Sequence, residues 1–185
     1  KTLVFEPDTR FPMATRYPVG IPAGTTSATG GKLAEKVTWT FTTPPPQMQS
    51  AYPTHGPHVR DPLIFISFDQ RIDPAAVLET IKIKAGRELF SAALAGAEDV
   101  EANDRIHRMA KDAGEQRWLA FRATEKLPYD TTVTVYIDPG TPSAEGPLTT
   151  KSVQSFSFTT YGPLRIVETQ CGWGDECRPM MPWSI

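Results

Sequence analysis

Cysteine and histidine are scarce in this chain, at 2 and 3 of 185 residues. A structural zinc site takes four such ligands, commonly with Cys-x-x-Cys spacing, and no such spacing occurs. No apolar run approaches the ~20 residues that a membrane helix needs. The most apolar stretch, Leu63–Phe68, has the length of a strand. Neither sign of charge dominates: 19 Lys and Arg face 21 Asp and Glu, for a formal net charge of −2. That balance gives no basic stripe for nucleic acid and no charge-driven attraction to anionic lipid. The opening residues Lys1-Thr2-Leu3-Val4-Phe5 lack a signal-peptide cleavage pattern, so a targeting signal, if there is one, is expected outside the chain, and membrane attachment only through an anchor outside it. No Gly-rich phosphate loop and no nucleophile elbow occurs, and the chain reads as a non-enzyme without cofactor.

What the sequence has in quantity is proline (18) and glycine (13), scattered between short β-type runs. This is the pattern of an all-β protein with many turns. The runs repeat. Thr2–Thr43 aligns with Trp118–Thr160: Phe5 with Phe121, Pro12 with Pro128, Thr15 with Thr131, and Val19 and Ile21 with Val135 and Ile137. Gly24, Ser27, Ala28 and Gly30 align with Gly140, Ser143, Ala144 and Gly146. After a one-residue slip, Phe41-Thr42-Thr43 aligns with Phe158-Thr159-Thr160. Self-similarity at a spacing of one sandwich domain predicts modules in tandem.

Within each copy the elements follow from local pattern. Val133, Val135 and Ile137 alternate, which places three β-branched side chains on one face of a strand. Pro139-Gly140 ends that strand, and Phe156 and Phe158 begin the next alternation. Upstream, Ile64, Ile66 and Phe68 share a strand face. Asp73-Pro74 reads as an N-cap and first-turn proline opening a short helical turn over Ala75–Leu78, and Ile81 and Ile83 resume strand alternation. The stretch 97–113 is charged and free of internal Gly and Pro. Its stripe of Val100, Ile106, Met109 and Ala110 predicts one surface helix inserted into the β-unit. The expected organisation is 1–43 as the C-terminal half of one module, Pro44-Pro45-Pro46 as a stiff linker, and 44–163 as a complete module. Residues 164–185 then begin a third, because Pro179–Ile185 stands where Asp61–Ile66 stands in the middle unit.

These motifs carry a resemblance. The succession of an apolar-x-Phe strand, Leu-Pro, Thr-x-Val-x-Val, paired glycines and Phe-x-Phe-Thr-Thr resembles the bacterial Ig-like domain of the SbsA type. Arg117–Phe121, Gly140–Leu148, Ser155–Leu164 and Cys171–Cys177 also resemble the N-terminal modules of bacterial alpha-2-macroglobulin-like proteins. The resemblance implies immunoglobulin-like β-sandwich modules in a large extracytoplasmic (periplasmic or cell-surface) protein that traps proteases. Its partners would be neighbouring modules of the same protein, and proteases through the parent. That family's bait region and Cys-x-Glu-Gln thioester are not recognisable here, since Gly172-Trp173-Gly174 follows Cys171, so no catalytic residue is carried over. The alternative reading is a spacer or adhesin repeat of a cell-surface or S-layer protein. A carbohydrate- or calcium-binding accessory domain is a further class.

The remaining candidate side chains each have a plainer reading. Cys171 and Cys177 would close a small disulfide loop in an oxidising compartment, with free thiols or a metal or redox pair as alternatives. His55 and His58 flank a Gly-Pro loop and could chelate with a third ligand, but solvated loop histidines are far commoner. Asp69 and Asp73 could serve calcium or acid–base work, although capping and turn roles suffice. The run Glu98–Arg108 predicts a solvated helix face with Glu101–Arg105 and Asp104–Arg108 pairs, the alternative being a helix that binds a partner.

Overall fold

A computed structural model of the chain describes residues 6–166, together with the backbone of 170–171 and 183–184. In chain order the elements are β1 (Arg16–Ile21), β2 (Val37–Thr42), β3 (Met48–Tyr52), β4 (Pro57–His58), β5 (Ile64–Phe68), α1 (Pro74–Leu78) and β6 (Ile81–Ala85). There follow β7 (Glu88–Phe90), β8 (Ala92–Leu94), α2 (Ala97–Glu101), α3 (Asp104–Ala113), β9 (Trp118–Ala123), β10 (Thr132–Ile137) and β11 (Gln154–Thr160). Two short strands, β12 (Gln170–Cys171) and β13 (Trp183–Ser184), pair antiparallel near the end.

Residues 44–160 form two sheets face to face, one ordered β4-β11-β10-β6-β7 and the other β3-β5-β9-β8. The alternation read from the sequence decides what lies between them. Val133, Val135 and Ile137 from one sheet meet Ile64, Ile66, Leu119 and Phe121 from the other. Phe121 and Val135 are fully buried and Phe158 is 1 % exposed, so all three face the interior of the sandwich. A chain switch at Ser91 passes from β7 in the first sheet to β8 in the second. Neither strand carries a clear alternation, and the sequence pattern missed both, as it missed β3 and β4.

Asp73 caps α1 as expected, its Oδ1 accepting from the Ala75 N–H at 3.0 Å, with Pro74 in the first turn. The insertion at 97–113 differs from the single helix expected. It is two helices broken at Ala102-Asn103, because the Asn103 side chain accepts from the Ile106 N–H at 3.1 Å and starts α3 afresh. Val100, Ile106, Met109 and Ala110 do face inward. They pack on Leu63, Phe65 and Ala120, the outer face of the second sheet. All five residues of β5 are therefore buried, with Ile64, Ile66 and Phe68 inside the sandwich and Phe65 under the helices. The expected Glu101–Arg105 and Asp104–Arg108 pairs give way to other partners. Arg105 lies over the Tyr52 ring at 4.3 Å, and Arg108 Nε donates to the Asp104 carbonyl at 3.2 Å.

The hairpin β1–β2 repeats β10–β11 in register. Arg16 faces Thr42 as Thr132 faces Thr159, Tyr17 faces Phe41 as Val133 faces Phe158, and Val19 faces Trp39 as Val135 faces Phe156. The loop bonds repeat too. Gly24 N–H donates to Leu33 O at 2.8 Å, and Gly140 N–H to Thr150 O at 2.9 Å. Both glycines have positive φ, +84° and +96°, where a side chain would be strained. The one-residue slip thus falls between Gly140 and Thr150. Aligned Gly30 and Gly146 part company there, since only Gly30 has a left-handed φ. Val133, Val135 and Phe158 are buried in β10–β11, whereas in the hairpin Trp39 and Phe41 are exposed and Tyr17 and Val19 only half-buried.

Candidate functional site

A dense polar construction lies where the hairpin meets the 44–160 unit. The hairpin contributes a corner at Pro12–Thr15. Thr43 Oγ1 accepts from the Thr15 N–H at 3.0 Å and donates to Pro12 O at 2.9 Å, while Thr15 Oγ1 donates to Met13 O at 2.9 Å. Ala14 sits at φ 51°, in the left-handed region, and its N–H reaches Pro44 O at 2.9 Å. These bonds fold the corner so that the Met13 N–H and the Ala14 carbonyl point outward from the hairpin.

The 44–160 unit receives both groups. Glu145 Oε2 accepts from the Met13 N–H at 3.0 Å and is ion-paired with Arg10, and the Ala14 carbonyl accepts from the Leu148 N–H at 2.8 Å. Glu145 Oε1 accepts from the Arg71 N–H at 2.9 Å, so one carboxylate ties the hairpin to the loop after β5. Gln70, fully buried, donates from Nε2 to Pro44 O at 3.2 Å and accepts from Ser143 Oγ at 2.8 Å. Gln154 Nε2 donates to Pro46 O at 3.2 Å. The Pro44–Pro46 linker is therefore fixed at both ends by side-chain amides as well as stiffened by its rings. Gly146 lies against the corner so closely that a Cβ there would stand 2.1 Å from Thr15 Oγ1, 2.4 Å from Met13 O and 2.6 Å from Ala14 O. Only glycine fits.

The side chain of Glu145 is 3 % exposed. Burial pushes its pKa up, but the N–H groups of Arg71 and Met13 and the Arg10 guanidinium outweigh that and hold it below the usual carboxylate range. A carboxylate whose folded pKa is depressed contributes stability above its unfolded value, ~4.3, and loses it as pH falls through the folded value. Acidification below about pH 4 should therefore loosen this joint ahead of the 44–160 core. The check is amide exchange at Met13 as a function of pH: its protection should fall in acid in the native chain. Equal protection at pH 3 and pH 7 would contradict the role given to Glu145.

The side chains singled out in the sequence lie elsewhere. His58 Nε2 is 3.0 Å from the His55 carbonyl, and the His58 ring packs edge-on to Tyr52 and Phe158. Asp69 Oδ1 accepts from the Gln47 N–H at 3.0 Å and from Gln70 Nε2 at 3.2 Å, and it thereby supports the joint. Among the described residues no three His, Cys, Asp or Glu side chains gather as a metal ion would require. Cys171 lies in β12, but Cys177 is outside the described residues, and so is the proposed disulfide. The joint escaped sequence reading because its key atoms are backbone N–H and C=O groups, which every residue carries. The repeat alignment, the Pro44–Pro46 linker and the Gly140–Leu148 motif fall on these residues, but none of them signals a contact between them.

Among the described residues no helix is long and apolar enough to cross a membrane. A family model described as the bacterial Ig-like domain matches residues 44–160, more than half of the chain. No curated protein matches.

Proposed function

Because this chain belongs to the bacterial Ig-like domain family, whose members are generally non-catalytic structural modules of extracellular or surface proteins, we propose that it is a stiff tandem segment of an extracytoplasmic protein. Residues 1–43 are the closing half of one Ig-like module, 44–163 a complete module, and 164–185 the opening of another. The observation that carries this reading is the duplicated hairpin with its corner. The same strand register and the same threonine bonds recur at Thr43 and Thr160, whose Oγ1 atoms each accept from an N–H and donate to a proline carbonyl. The hairpin's open apolar face then has a natural cover, the first half of its own module, as β5 and β9 cover β10 and β11. Pairing of Cys171 with Trp183 parallels that of Tyr52 with Phe65 in the complete unit and supports a third opening.

The clamped Pro44–Pro46 linker makes this segment a rigid spacer. Nuclear spin relaxation on the 185-residue chain should give residues 16–42 and 48–160 one common correlation time. Independent tumbling of the two would refute the rigid-spacer role. The finer reading, a positioning element of an alpha-2-macroglobulin-like protease trap, draws its support from the sequence motifs at Arg117–Phe121, Gly140–Leu148 and Ser155–Leu164. It expects a bait segment and macroglobulin domains in the parent polypeptide, and loss of protease trapping when this segment is deleted there. S-layer or adhesin repeats in their place would favour the spacer or adhesin role, which the stiff joint serves equally well.

A further inference from the structure

The surface that Glu145 and Gly146 grip on the hairpin exists a second time, at the far pole of the 44–160 unit. We infer that this second corner, Lys126–Thr131, is a docking surface for the glycine-bearing loop of an Ig-like unit following in the same polypeptide. The inference rests on the tandem reading above and adds where, and by which atoms, the next unit is held.

The features of the corner have counterparts 116 residues on, the shift that takes Arg16 to Thr132 in the shared register, and Pro44, past the slip, has Tyr161 at 117. Lys126 stands for Arg10, and it is exposed and has no ion pair among the described residues. Thr131 Oγ1 donates to Tyr129 O at 2.7 Å, as Thr15 Oγ1 does to Met13 O. Asp130 has φ 47°, and its N–H reaches Tyr161 O at 3.1 Å, as that of Ala14 reaches Pro44 O. The corner is thus folded to the same shape. Among the described residues the Tyr129 N–H and the Asp130 carbonyl take no backbone partner, whereas their counterparts at Met13 and Ala14 bond Glu145 and Leu148. Because the gripped atoms are a backbone N–H, carbonyls and a threonine hydroxyl, the fit does not depend on most side chains at the corner. An incoming loop needs a carboxylate for Lys126 and the Tyr129 N–H, a backbone N–H for the Asp130 carbonyl, and a glycine against the carbonyls. The corner departs from its counterpart in Lys126 for Arg10, in Tyr129 for Met13, with the Tyr129 ring under the Arg60 guanidinium at 4.0 Å, and in Asp130 for Ala14. Aspartate adopts a left-handed φ more readily than alanine, and its carboxylate favours an incoming cation.

The test extends the chain. Residues 1–160 are followed directly by a second copy of 44–185, so that Thr160–Pro44 repeats the natural Thr43–Pro44 connection. Amide exchange is then followed at Tyr129, with Met13 as internal reference. The extended chain is made with native Asp130 and with Asp130→Ala, the latter removing any repulsion between Asp130 and the second copy's Glu145. The expected result is Tyr129 exchange at least about tenfold slower than in the 185-residue chain in one or both versions. That slowing should be lost when the second copy carries Gly146→Val. No slowing in either version, or slowing that survives Gly146→Val, overturns the inference. Protected Met13 with unprotected Tyr129 sinks this inference alone, while unprotected Met13 in the 185-residue chain sinks the tandem joint as well.

Discussion

Replacing Gly146 by valine should part the hairpin from the 44–160 unit and leave that unit folded. The atoms a Cβ would strike are Thr15 Oγ1 and the carbonyls of Met13 and Ala14, at 2.1, 2.4 and 2.6 Å. Two of the three are backbone and cannot rotate away, so the usual relief of an overpacked site by rotamer change is closed. All three belong to the hairpin side, and Gly146 itself has no left-handed φ, so its own backbone conformation accepts a side chain. The bonds that fail with the joint are those from Met13 to Glu145, from Leu148 to Ala14 and from Gln70 to Pro44. The bond to the Glu145 carboxylate contributes ~1.5–3 kcal/mol and the two neutral ones ~0.5–1.5 kcal/mol each, which sets the scale of the loss. Amide exchange is the direct measurement. Met13 should approach the rate of an unprotected amide, while Val133 and Val135 keep theirs. A Gly146→Val chain with Met13 still protected would show that the joint tolerates a side chain and that the close contact does not govern it.

The same repeat position should respond very differently in its two copies. Phe158 is 1 % exposed in the sandwich core, and Phe158→Ala should cost about 3–5 kcal/mol, the range for emptying an aromatic site in a packed interior. Against a domain stability of ~5–15 kcal/mol that is a large fraction, and the melting temperature of the unit should fall steeply. Phe41, its counterpart, is 37 % exposed and keeps contacts to Tyr17 and Phe11 at ring-centroid separations of 5.2 and 5.5 Å. Phe41→Ala should cost less, because it empties a partly open site and ring contacts of this kind add only about 1 kcal/mol to the smaller area lost, and it should leave the melting of the 44–160 unit unchanged. Thermal unfolding of the two variants side by side decides it. Equal destabilisation would mean that the hairpin is already part of the same core. In a longer chain that supplies the cover for Trp39 and Phe41, the two costs should converge.

The sandwich strands that alternate strictly were legible before any coordinates. Val133-x-Val135-x-Ile137 and Ile64-x-Ile66-x-Phe68 put one apolar face toward a core whatever the topology, because the strand period of two is a property of the backbone. The cap at Asp73-Pro74 was legible for the same local reason. The strands β7 and β8 were not, since a strand that pairs by its backbone and switches sheet needs no apolar period. Nor was the break in the insertion, where a single Asn103 amide competes with continuing the helix.

What the sequence alone determined is the repeat and the buried faces, because spacing and side-chain polarity are written residue by residue. The fold alone reveals how the β1–β2 hairpin is held against the 44–160 unit. Glu145, Gln70 and Gly146 act there on the amide and carbonyl groups of residues more than a hundred positions away or in the linker, and those groups are common to every residue. Ala14 and Gly146 look unremarkable in the chain. They matter because a left-handed corner and a missing Cβ bring two backbones within touching distance.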